Sequence, residues 1–190
     1  MPLPRWVEPQ LSKLVEKAPT GPQWVHEIKF DGYRMAARIE RGKVQLLTRS
    51  GLDWTAKYPA TAAAFAKLPV KTAYIDGELC GVRADGVSSF DLMQQTSDAG
   101  YGGLVYFAFD LLELDGENVA SLPLLERKER LAQLLKNPPA GSFIASHEGV
   151  CDREAFRRVA CPHGLEGVAL LLALTNCGSD ASSPTPRSIS

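Results

Sequence analysis

Apolar and polar positions along the chain change period several times, and the changes mark out an alternation of strands and helices. Leu11, Leu14 and Val15 share one face of a helix predicted over Pro9–Lys17, which Ala18-Pro19-Thr20-Gly21-Pro22 then breaks. Trp24–Phe30 reads as a strand entering a turn at Asp31-Gly32. Tyr33–Glu40 and Lys43–Thr48 form a hairpin around Arg41-Gly42, and the Ala-rich stretch Ala56–Leu68 is a helix. Lys71–Val82 is a strand and Phe90–Thr96 a short helix. Leu104–Leu114 is a long apolar strand closed by Asp115-Gly116, and Leu124–Leu135 is an amphipathic helix. Ser142–Ser146 is a strand, Arg153–Ala160 a helix and Gly167–Leu174 a last apolar strand. Strands mixed with helices and joined by several hairpin turns predict an α+β fold with mainly antiparallel sheets.

From Thr175 to Ser190 the pattern stops. Large apolar residues are scarce and Ser and Pro abundant, so this tail is expected to stay disordered, after one domain over 1–174. The 190 residues suit one domain, and 45% hydrophobic content is enough for a core. The net charge of -1 gives no global basic field, which leaves any nucleic-acid contact to a local patch. The longest apolar run, Val168–Leu174, falls far short of the roughly 20 residues that cross a bilayer, so no membrane partner is expected. The residues Met1–Trp6 contain no apolar core of a signal peptide. Cys80, Cys151, Cys161 and Cys177 form no CxxC pair, which suits reduced thiols in a cytoplasm. His147, Cys151, Cys161 and His163 match no common zinc spacing and read better as core cysteines and surface histidines.

The sharpest chemical signal is Lys29-Phe30-Asp31-Gly32-Tyr33-Arg34, a KxDGxR motif. Four fixed letters recur by chance in a chain of this length with a probability on the order of 10^-3. Taken alone, Lys29 is equally a solvated strand lysine before an Asp-Gly turn. A lysine amine can also attack the α-phosphate of a nucleotide and keep the nucleotidyl group as a phosphoramidate. It must be neutral to do so, and neighbouring cations such as Arg34, with desolvation, favour that form. Gly32 would let the backbone approach the phosphates.

His26-Glu27-Ile28-Lys29-Phe30-Asp31-Gly32-Tyr33-Arg34 resembles the nucleotidyl-transfer motif of ATP-dependent DNA ligases, within which the chain is most similar to the ligase domain of bacterial ligase D, the non-homologous end-joining enzyme. Four further segments resemble the family in order and spacing: Leu47-Thr48-Arg49-Ser50-Gly51, Ile75-Asp76-Gly77-Glu78-Leu79, Tyr106-Phe107-Ala108-Phe109-Asp110-Leu111-Leu112 and Leu165-Glu166-Gly167-Val168. The resemblance covers roughly Pro9–Val168. It implies a nucleotidyltransferase (ATP-grasp-like adenylation) domain in which Lys29 is the nucleophile and Glu27 sits near the adenine edge. Arg34 and Glu78 would hold ribose and phosphate, Arg49 would lie close to phosphate, and Phe109 would stack on the base. Glu166, with Asp31, would hold a divalent metal. The implied cofactors are ATP and Mg²⁺, and the implied partners are nicked or broken double-stranded DNA and end-joining repair proteins. Singly, each residue has a plainer reading: Glu78 and Glu166 as solvated strand-end carboxylates, Phe109 as core and Arg49 as a surface charge.

The chain departs from the family pattern after Val168. Ala169–Leu174 replaces a basic segment, and neither the later Lys-x-Lys strand nor the C-terminal OB-fold domain follows. Groups of that kind contribute about 3–4 kcal/mol each to a transition state, so this reading expects impaired nick sealing, or a remnant that binds nucleotide or DNA without turnover.

Overall fold

The computed structural model describes residues 2–11, 13–14, 24–84, 88–96, 103–138, 144–146, 168–172 and 187–189. The chain order is β1 (Lys13–Leu14), β2 (Trp24–Ile28), β3 (Tyr33–Glu40), β4 (Lys43–Thr48), a 3₁₀ turn (Thr55–Lys57), α1 (Pro59–Phe65), β5 (Thr72–Gly81), α2 (Phe90–Thr96), β6 (Leu104–Leu114), β7 (Glu117–Asn118), α3 (Leu124–Leu134), β8 (Ile144–Ser146), β9 (Val168–Leu172) and β10 (Arg187–Ile189). One sheet runs β4-β3-β5-β6-β7, with β8 added to β6, and a second runs β1-β10-β9-β2. Among these strands only β1–β10 and β6–β8 pair in parallel.

The β3–β4 hairpin closes at Arg41 and Gly42, both with positive φ. That is the turn whose twist matches the strands it joins. Asp115 and Gly116 close β6 onto β7 in the same way. Along β3 and β5 the side chains alternate between two environments. Met35, Ala37 and Ile39 of β3 and Ala73, Ile75 and Leu79 of β5 enter the main core with Phe65, Met93 and Leu131 of the helices. The other face carries Arg34, Ala36, Tyr74, Asp76 and Glu78, and this face lines a cleft. Tyr106 crosses the main core, its hydroxyl donating to the carbonyls of Met35 (2.6 Å) and Ile75 (3.2 Å).

Two elements differ from the sequence reading. The helix expected over Pro9–Lys17 is absent among the described residues of that stretch: Pro9–Leu11 is irregular, Leu11 is exposed, and Lys13–Leu14 is the strand β1 alongside β10. Nine residues with three apolar positions make a marginal helix, and sheet pairing satisfies the backbone better. The helix expected over Ala56–Leu68 is split by Tyr58, where a 3₁₀ turn ends and Pro59 opens α1. Proline lacks the N–H needed inside a helix but suits its first turn. Within the expected tail, Arg187–Ile189 pairs antiparallel with β9. The helix expected over Arg153–Ala160 and the His147, Cys151, Cys161 and His163 group lie outside the described residues.

Candidate nucleotide site

A cleft of about 730 Å³ opens over the polar face of β3, β5 and β6. Its walls are the end of β2 with the turn that follows, the turn after β4, and the N-terminal segment from Trp6 to Leu11. Lys29, Glu27, Asp31, Arg34, Arg49, Glu78 and Phe109 all line it. Glu166, the remaining nominated residue, lies outside the described residues. Among the described residues no group of three or more His, Cys, Asp or Glu side chains is arranged as a metal site.

The Lys29 turn is held by packing. Phe30 stacks on Phe107 of β6, with ring centroids 4.0 Å apart and planes 6° from parallel. The Gly32 N–H donates to Glu78 Oε1 at 3.0 Å. A Cβ at Gly32 would run into Leu79 O and Cys80 Sγ. The glycine is therefore required by the close approach of β5, where the sequence suggested room for phosphate. Gly77 of the Asp-Gly-Glu segment is fixed similarly, since a Cβ there would meet the Tyr106 ring and Phe107 O. Lys29 itself is exposed at the cleft.

Arg34 sits at the centre of the floor. It donates from Nε to Asp76 Oδ1 (2.9 Å) and from Nη2 to Asp76 Oδ2 (2.7 Å), a bidentate pair. Its guanidinium carbon lies 4.5 Å from the centroid of the Phe109 ring. Burial works against the charge on Arg34, but Asp76, and then Glu78, more than restore it, so the pKa rises above its ordinary value. One face of the Phe109 ring is thus met by an arginine held in place from β5.

Burial raises the Glu78 carboxyl to about 7, against the pull of Arg34, the Gly32 N–H and Lys29, while Asp31 pushes it further up. Glu27 is more deeply buried. Burial raises its pKa as well, Lys128 on α3 opposes that rise most strongly, and Asp110 adds to it. Lys128 Nζ lies 2.5 Å from Glu27 Oε1 and donates to Phe109 O at 2.9 Å.

Phe109 and Asp110 are neighbours, yet both line the cleft, because β6 departs from strict alternation there. The β5–β6 register pairs Asp76 with Asp110 and Gly77 with Ala108, so Phe109 has no counterpart in that ladder. Such a bulge re-aims side chains. Asp110 then receives Arg127 of α3 through Nε (2.8 Å) and Nη2 (3.0 Å), and Arg127 Nη1 donates to Leu122 O. Sequence reading missed Asp76, Asp110, Arg127 and Lys128. The one available signal was Arg127-Lys128 within an amphipathic helix, where both are buried and where charged residues normally face water. Arg49 stands exposed on the turn after β4, a turn closed by Gly51 N–H to Thr48 O (2.8 Å) and Leu52 N–H to Thr48 Oγ1 (3.1 Å). No helix among the described residues is long and apolar enough to cross a membrane.

Residues 6–170 match the family described as ATP dependent DNA ligase domain. The multifunctional non-homologous end joining protein LigD of Pseudomonas aeruginosa is 39% identical over 168 residues, covering 88% of this chain and 20% of that protein. The LigD protein of Mycobacterium bovis is 35% identical over 148 residues, 77% of this chain and 19% of that one. The chain therefore spans about a fifth of the length of these curated relatives. In structure it is similar to the ligase domain of LigD from Mycobacterium tuberculosis, with a TM-score of 0.72, 28% identity and coverage of 87% of this chain and 54% of that one. A mycobacterial DNA ligase D complexed with ATP and MES gives a TM-score of 0.73 at 27% identity, covering 94% and 60%.

Proposed function

The chain belongs to the ATP-dependent DNA ligase family, and on that premise we propose that it forms the nucleotide-binding part of a ligase domain in which Lys29 takes AMP from ATP. The observation that carries this reading is the convergence on one cleft of Glu27, Lys29, Asp31, Arg34, Arg49, Glu78 and Phe109, drawn from four separate segments. In the first step the Lys29 Nζ lone pair forms a P–N bond to the α-phosphorus. The bond from that phosphorus to the bridging oxygen breaks, pyrophosphate leaves with the electron pair, and the Nζ proton passes to solvent. Glu27 faces the adenine edge, Phe109 stacks on the base, Arg34 and Glu78 hold ribose and the adjoining phosphate, and Arg49 meets phosphate at the lip. AMP then passes to a DNA 5′-phosphate, and a 3′-hydroxyl displaces it to join the strands.

Asp31 and Glu78 face the same cleft, where burial lifts the Glu78 carboxyl to about 7 and the Asp31 carboxylate adds to that rise. That donor chemistry fits Mg²⁺, which prefers carboxylates with substrate phosphates. Asp31, with Glu166, would hold it, and bound Mg²⁺ neutralises phosphate charge. The partners on this reading are nicked or broken double-stranded DNA and end-joining repair proteins, in DNA repair and recombination within the cytoplasm. On this reading residues 1–174 are an adenylation domain lacking its last strands, and 175–190 are a Ser/Pro-rich tail, of which Arg187–Ile189 pairs with β9 instead of staying disordered.

A second reading, nucleotide binding without turnover, is favoured by the uncharged run Ala169–Leu174 where the family pattern is basic. Incubation with labelled ATP and Mg²⁺, followed by intact-mass analysis, separates the two. Slow AMP labelling that disappears in Lys29→Ala is expected. Labelling that survives the substitution would remove Lys29 as nucleophile. ATP binding by calorimetry with no labelling at all would favour the second reading.

A further inference from the structure

Glu27 and Phe109 belong to different sheets. Glu27 is in β2, which pairs with β9, whereas Phe109 is in β6 of the larger sheet. Lys128 touches both: its ammonium lies 2.5 Å from Glu27 Oε1 and donates to the Phe109 carbonyl at 2.9 Å. That carbonyl belongs to the bulged residue, which has no counterpart in the β5 register. The Lys128 and Glu27 side chains are only 8% and 7% exposed. An ammonium and a carboxylate withdrawn so far from water are retained at a cost and are costly to separate. The neighbouring Arg127 anchors the same stretch of β6 through Asp110, so α3 fixes the bulge from two adjacent positions.

We propose that Lys128 is a positioning residue for base selection: by gripping Glu27 and the Phe109 carbonyl together, it presents an ionised carboxylate to the base and makes the cleft prefer ATP to GTP. This rests on the reading that Glu27 faces the adenine edge. An ionised carboxylate only accepts hydrogen bonds. It therefore suits the amino group that adenine carries at C6 and repels the carbonyl oxygen that guanine carries there. Without Lys128 the groups left facing Glu27 are Asp110, which favours its protonation, and Arg34, which opposes it, while burial favours the neutral acid. A protonated Glu27 donates as well as accepts and tolerates guanine.

The test measures dissociation constants for ATP and GTP by titration calorimetry with Mg²⁺ on the full 190-residue chain, on Lys128→Met, Lys128→Arg and Glu27→Gln, and on the double variant. Hydrogen bonds to charged groups predict that Lys128→Met lowers the ATP-to-GTP preference by about tenfold or more, with Lys128→Arg recovering part of it. Lys128→Met should add little in the Glu27→Gln background, because Lys128 acts through Glu27. A folded Lys128→Met that keeps the native preference, while Glu27→Gln loses it, would overturn the role of Lys128 and leave the site reading intact. A Glu27→Gln variant that keeps the preference, or a native chain that binds neither nucleotide, would overturn both. If Lys128→Met does not fold, the double variant, which buries no charge at either position, decides: a preference different from that of Glu27→Gln alone would sink the proposal.

Discussion

Replacing Glu78 by Gln should stabilise the ligand-free protein at neutral pH and flatten its pH dependence. Glu78 lies on the cleft face of β5, and burial lifts its carboxyl from 4.5 to about 7 despite Arg34, the Gly32 N–H and Lys29. The folded protein therefore binds this proton more tightly than the unfolded chain. The stability it contributes is fully present below about 4.5 and is lost as the pH rises through about 7. At about 1.36 kcal/mol per pH unit, the loss reaches up to about 3 kcal/mol. Gln has the same shape, stays neutral and keeps a carbonyl oxygen to accept from the Gly32 N–H, so the variant lacks this loss. The raised carboxyl of Glu27 acts in the same direction but is present in both proteins and cancels. Urea unfolding of both proteins in EDTA, over a series from about pH 5 to about pH 8, would show the Gln variant gaining on the native protein as pH rises, by about 2–3 kcal/mol at the upper end. Parallel profiles with a constant gap would refute the reasoning, because they would mean that Glu78 titrates alike in the folded and unfolded chains. The same variant should bind Mg²⁺·ATP more weakly, since it removes a carboxylate from the cleft.

Phe109→Ala should weaken ATP binding by about 1–3 kcal/mol through lost stacking; unchanged affinity in calorimetry would place the base elsewhere. Gly77→Ala should destabilise the fold by about 1–3 kcal/mol or more, because the added methyl meets the Tyr106 ring and Phe107 O; a thermal midpoint equal to the native one would contradict that packing. Asp110→Ala strands the buried Arg127 and should cost about 3–5 kcal/mol in urea unfolding. A milder loss would mean that Arg127 finds water or another acceptor.

The sequence alone identified the family and most of the elements. Lys29, Asp31 and Arg34 are close in the chain, and the other motif residues follow in the family's order, so both could be read in one dimension. Apolar and alternating runs of strand length located β3, β4, β5 and β6, and Arg41-Gly42 and Asp115-Gly116 located their turns, because these signals are local. The expected Pro9–Lys17 helix failed because its fate depended on β10, more than 170 positions away. The tertiary structure alone decided what surrounds the motif. Arg34 is clamped by Asp76 and Glu27 by Lys128, and in each case the partner is set by sheet register or helix placement. Gly32 and Gly77 owe their lack of a side chain to strands that cross them, and the bulge that turns Phe109 and Asp110 to the same side leaves no mark in the residue pattern. Local periodicity fixes which face a side chain takes, whereas the charge that meets a buried carboxylate is fixed only when distant segments pack together.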